Sequence, residues 1–166
     1  MSGIPTVKFD TSRVTETVKA ELRKNVLFLE GIDRNHFEQI YSAALHSILA
    51  GRDLGLLCNV LMRMNIDGMT KQRAGEIARI LNNQATALMD KEHSLSLGIK
   101  QAHWRYSGAP CEVNPTKPTG QDAAHKAANG RLFEVSMGMF VNGKWTWPSV
   151  EPGCRCISTP VIPGFS

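Results

Sequence analysis

The chain has 166 residues, 42% hydrophobic and 20% charged, with four cysteines and a formal net charge of +4. That length and balance exclude a disordered chain and one that needs disulfides to build a core. The charge is small and unclustered and aromatics are only 7%, which argues against a dedicated sequence-reading DNA binder but leaves room for non-specific contact with nucleic acid or an acidic surface.

Met1 to Asp10 shows no basic stretch followed by an apolar run, and no segment approaches the ~18 apolar residues of a membrane span. The expectation is a soluble, cytoplasmic chain without a leader. In that setting a disulfide frame is disfavoured and a metal cluster competes with it for Cys58, Cys111, Cys154 and Cys156.

From Thr11 to Leu97 the sequence has helical grammar. Val14, Val18, Leu22, Val26 and Leu29 recur at helical spacing and stop at Gly31. Asp33 is placed to cap a second helix, in which Phe37, Ile40, Tyr41, Ala44, Leu45 and Ile48 form one apolar stripe. After Gly51, Asp53 can cap a third helix to about Met64, with Leu57, Leu61 and Met64 inward and Cys58 beside them. Asp67-Gly68 is a turn pair, and Thr70 caps the longest helix. Ala74, Ile77, Ala78, Leu81, Ala85, Leu88 and Met89 keep its period, and Gly98 stops it.

Beyond Gly98 the chain is rich in Gly, Pro and aromatic residues, and all three tryptophans lie there. Ile99–Tyr106 reads as a strand, Ala109–Gln121 as an irregular loop, Asp122–Ala128 as a short helical turn ending at Asn129-Gly130, and Arg131–Val135 as a strand. Met139–Val141, Asn142-Gly143 and Lys144–Trp147 form a hairpin pattern, because Asn-Gly supplies the positive φ angles of a type I′ turn. A last strand over Cys156–Ile162 is interrupted by Pro160. These segments predict an α+β protein. An N-terminal helical segment of about four helices (1–97) precedes a small β-rich, loop-rich Cys/His module (98–166), the two packed together as one unit.

Cys111, His125, Cys154 and Cys156 carry metal-ligand chemistry, and zinc takes four such donors in a tetrahedron. Side chains at i and i+2 of an extended strand share a face, so Cys154 and Cys156 can address one ion or one core. Three readings stand open: a bound metal, buried thiols acting as small hydrophobes, or a disulfide from Cys111 to Cys154 or Cys156. A Cys–His nucleophile pair of Cys154 or Cys156 with His125 or His103, and an Asp122–His125 pair, are the catalytic alternatives. No P-loop, HExxH or GxSxG occurs, and no catalytic residue is assigned. Cys58 reads as core, and His36, His46 and His93 as surface or boundary residues. Trp104, Trp145 and Trp147 read as structural, Trp145 and Trp147 sharing a strand face in one packed aromatic cluster.

The order of motifs resembles the C-terminal portion of the phage Mu F-like minor head (head-morphogenesis) protein family, over roughly Asn25 to Phe165. The matching pieces are Gly51-Arg52-Asp53-Leu54, Thr70 to Arg79, Asn82 to Thr86, Leu97-Gly98-Ile99, Trp104 to Ser107, His125 to Gly130, Gly143 to Pro148, Cys154-Arg155-Cys156 and Val161 to Phe165. The resemblance implies a structural virion component that aids capsid assembly and DNA packaging or ejection. It implies the portal or major capsid protein as partner, the capsid interior or portal vertex as location, and the host cytoplasm during assembly. It marks Trp104, Gly130, Trp145 and Trp147 as structural, and implies a metal site in which Cys111 supplies a fourth ligand. The alternative it carries is a metal-dependent nuclease or toxin-like effector. Two departures are Asp122, where the family has Arg, and a lengthened loop over Pro110–Gln121. The family's further N-terminal region is largely absent here.

Overall fold

The computed structural model describes residues 8–165. Residues 1–7, which carry most of the segment where a leader was sought, lie outside them. Two compact units emerge, Met1–Asn82 and Asn83–Ser166.

The first unit is helical. A 3-10 turn, Thr11–Arg13, precedes α1 (Glu16–Leu27), which Thr15 caps. Val18, Leu22 and Val26 form its buried stripe. Asp33 accepts from Asn35 N and caps a second 3-10 turn, Arg34–His36, which runs into α2 (Phe37–Leu49). Asp53 caps α3 (Leu54–Arg63) by accepting from Leu56 N at 3.0 Å. Both α1 and α3 pack on α2, so α2 is the axis of this unit. Ile40, Ala44, Ile48, Leu57 and Leu61 are almost fully buried. Each of the Ile and Leu side chains contributes roughly 1.5–3 kcal/mol of burial.

Ser47 ties the unit together with one hydroxyl. Its Oγ donates to Asp53 O at 2.6 Å and accepts from Asn82 Nδ2 at 3.0 Å. A buried Ser and a buried Asn are tolerated because each satisfies the other.

Thr70 accepts from Arg73 N at the start of α4 (Lys71–Ser96). Gly98 N donates to Leu95 O and Ile99 N to Ser94 O, a Schellman stop. The switch from helix to strand therefore does fall at Gly98. The compact units nevertheless divide at Asn82/Asn83, inside α4, not at 97/98. The rear of α4 is bonded within the second unit: Gln84 Nε2 donates to Val150 O, and Lys91 Nζ lies 4.1 Å from the Trp147 ring centroid.

In the second unit β1 (Gln101–Arg105) is the central strand of a three-stranded antiparallel sheet. β2 (Leu132–Glu134) and β5 (Ile157–Pro160) flank it. β1 alternates cleanly, with Ala102 and Trp104 buried and His103 on the other face. β3 (Met139–Val141) and β4 (Lys144–Thr146) form the hairpin, with Asn142 at φ 52° and Gly143 at φ 82° as type I′ geometry requires. Between β1 and β2 lies α5 (Gln121–Ala128), which begins at Gln121 rather than leaving that residue in the loop.

Two expectations for this unit are corrected. Pro160 does not interrupt the last strand; it ends β5, paired with Ala102. Val161 N faces β1 and bonds Gln101 O, so the N–H that Pro160 lacks would have pointed to the open edge. Trp145 and Trp147 do not form one cluster. β4 is only three residues long, and the chain leaves its direction at Trp147-Pro148, so the two-residue period does not carry over. Trp145 is 56% exposed, edge-on to Phe140. Trp147 packs on the core and donates its indole N–H to Val135 O at 2.8 Å.

Candidate metal centre

The core of the second unit gathers Ala102, Trp104, Ala128, Phe133, Val135, Met139 and Val141 around three sulfurs, those of Cys111, Cys154 and Cys156. His125 completes the group. The four donor atoms all lie within 4.8 Å of one another, and no ligand residue is more than 1% exposed.

Each donor is delivered by a different piece of local structure. α5 buries Gln121, His125 and Ala128, spaced i, i+4 and i+7, so His125 projects inward from the helix. Its ring meets Trp104 edge-on at 5.1 Å between centroids. Its Nδ1 faces Cys154 Sγ at 3.4 Å and Cys156 Sγ at 3.8 Å. Cys154 and Cys156 are buried on either side of the exposed Arg155, just before β5. Cys111 comes from the long loop, its sulfur 3.5 Å from Cys156 Sγ.

Gly153 makes the approach of these segments possible. It sits at φ 79°, and a Cβ there would lie 2.5 Å from Val113 N and 2.6 Å from Glu112 C. Both neighbours are backbone atoms of the Cys111 loop and cannot step aside. Gly153→Ala is therefore expected to pry the two ligand segments apart, at a cost of about 2 kcal/mol or more from strained φ plus clash. Urea unfolding of the variant checks this.

The distances fit an ion. Around a tetrahedral centre at ordinary thiolate and imidazole bond lengths, donor separations are about 3.8 Å for sulfur–sulfur and about 3.6 Å for sulfur–nitrogen. Backbone amides already point at two sulfurs: Ser149 N at Cys154 Sγ, 3.2 Å, and Arg155 N at Cys111 Sγ, 3.4 Å. Ser149 sits at φ 77°, a left-handed conformation that is uncommon for a non-glycine residue.

The three thiols differ in how readily each ionises. Hydrogen bonds from the Cys156 thiol and His125, with the amides of Cys156 and Ser149, hold the Cys154 thiol well below its ordinary range. The hydrogen bond to Cys154, followed by burial, pushes Cys156 up. Burial is the main force raising Cys111. Three sulfurs this close carry full negative charge together only beside a cation, which a divalent ion would supply.

Among the open readings of the cysteines, the disulfide is not formed, since all four are free. Burial alone is explained by thiols acting as small hydrophobes, but that reading gives no reason for a ring nitrogen to converge on three sulfurs. The cluster can hold a metal ion. Cys58 is half-buried on α3 and outside the cluster. His36 is half-buried, and His46 and His93 are exposed. His103 faces away from the cluster, its Nδ1 3.2 Å from Gly130 O. Gly130 N in turn donates to Trp104 O at 2.7 Å, closing the chain onto β1. Asp122 does not bond His125. Its Oδ1 accepts from Cys111 N at 2.8 Å and from the Tyr106 hydroxyl at 2.7 Å. Those two bonds hold its carboxyl below the usual range, and the same contact pushes Tyr106 up to about 12.

Sequence reasoning missed Gln121 and the Ser149 amide as supports of the cluster, and it weighed Asp122 only as a partner of His125, not of Cys111. Gln121 left a trace, four residues before His125 and so on the same helical face. No protein-family model, curated protein or solved structure matches the chain.

Proposed function

We propose that the chain is a minor head protein of a tailed phage or prophage that acts by binding, with a C-terminal unit held together by zinc. The observation that carries the non-catalytic reading is the closure of the donor set. Four protein donors, none more than 1% exposed, would fill a tetrahedral shell around an ion and leave no position for water or substrate. Three sulfurs and one imidazole suit zinc better than the oxygen-seeking ions. When bound, zinc supplies cohesion here, and Cys111, His125, Cys154 and Cys156 hold it.

The head-assembly assignment is supported by the ordered motifs from Gly51 to Phe165. Its partner is the portal or major capsid protein, and its place the capsid interior or portal vertex. Contact with DNA is non-specific. Among the described residues no helix is long and apolar enough to cross a membrane.

Reconstituted procapsids test the assignment. The protein is expected to co-sediment with particles that contain portal or capsid protein, and to cut no DNA with or without chelator. Failure to associate contradicts it. A chelator-sensitive nuclease activity lost in His125→Ala replaces it with the effector reading.

A further inference from the structure

The long loop delivers Cys111 from a stretch with no regular structure, yet its sulfur is placed as closely as the others. The first turn of α5 accounts for this. Gln121 Nε2 donates to Cys111 O at 2.9 Å and to Pro152 O at 2.8 Å. Asp122 Oδ1 accepts from Cys111 N at 2.8 Å. The peptide groups on both sides of Cys111 are thus gripped by consecutive residues of the helix that carries His125. The same Gln121 amide also holds the chain two residues before Cys154. Gln121 is itself buried.

We propose that Gln121 and Asp122 are positioning residues of the metal centre. In this role α5 supplies one ligand directly and sets a second, and Gln121 fixes the spacing between the Cys111 loop and the Cys154-Arg155-Cys156 segment. The inference rests on the zinc reading. Its physical basis is that a ligand without a supporting hydrogen bond samples orientations that cannot bind, which typically weakens metal affinity about 10- to 100-fold.

Gln121→Met keeps the volume and removes both donated bonds. Gln121→Glu keeps the shape and presents oxygens to two carbonyls, which serves if the Met variant does not fold. Asp122→Ala removes the grip on Cys111 N. Zn²⁺ affinity is measured by chelator competition, and metal-loaded protein is alkylated and mapped by mass spectrometry. The expected result is affinity lower by about 10- to 100-fold, with alkylation appearing at Cys111 while Cys154 and Cys156 stay protected. A role confined to general stability would expose all three together. Wild-type affinity with a protected Cys111 in the variants overturns the inference alone. A wild-type chain that takes up no Zn²⁺ overturns the zinc reading and the inference with it.

Discussion

Chelation is expected to cost the C-terminal unit its fixed tertiary structure. Three of the residues at the centre of its core are the ligand cysteines, and its strands are three to five residues long. Structural zinc sites contribute apparent binding energies of about 10–16 kcal/mol in zinc-finger peptides. A domain's net stability is only about 5–15 kcal/mol, so loss of the ion removes most of what holds such a unit. Near-UV circular dichroism reads it directly, because Trp104 and Trp147 sit in the packed region. The aromatic signal should collapse with a strong chelator and return with Zn²⁺, and Cys154→Ser should behave like the chelated protein. The capped helices of the first unit should keep their far-UV signal. An aromatic signal and melting temperature indifferent to chelator would show that packing alone suffices.

Trp104→Ala is expected to have the second largest effect. The side chain is 0% exposed on the central strand, edge-on to both His125 and Phe133. Truncating a fully buried aromatic costs about 3–5 kcal/mol. Here it also removes the wall that orients the His125 ring, so metal affinity should fall together with stability. Trp145→Ala is the contrast. Its ring is 56% exposed and touches Phe140, so the loss should stay below about 1.5 kcal/mol, the worth of an aromatic pair. Denaturant unfolding of both variants separates them. Equal costs would contradict the division of the tryptophans into one core residue and one surface residue.

That division marks where the sequence stopped being informative. Helix caps at Asp53 and Thr70, the stop at Gly98 and the Asn142-Gly143 turn are local chemistry, and the structure places them where the residues put them. The metal candidates carried a type of chemistry but no mutual distance. His125 and Cys111 are brought together by the loop and α5, which no spacing rule encodes. Trp145 and Trp147 misled because period-two logic assumes a strand that continues, and β4 ends at Thr146. The boundary of the units was misplaced for a related reason. α4 is one continuous helix by local signals, while its rear half is committed to the β-rich unit through side chains such as Gln84.

The central claim, a metal held by Cys111, His125, Cys154 and Cys156, is tested most directly by metal analysis of freshly purified protein combined with a thiol count under native conditions. The account predicts one equivalent of zinc per chain, with Cys58 reactive and the other three cysteines protected until chelator is added. A metal-free protein whose native fold and thiol reactivity do not respond to chelator would contradict it.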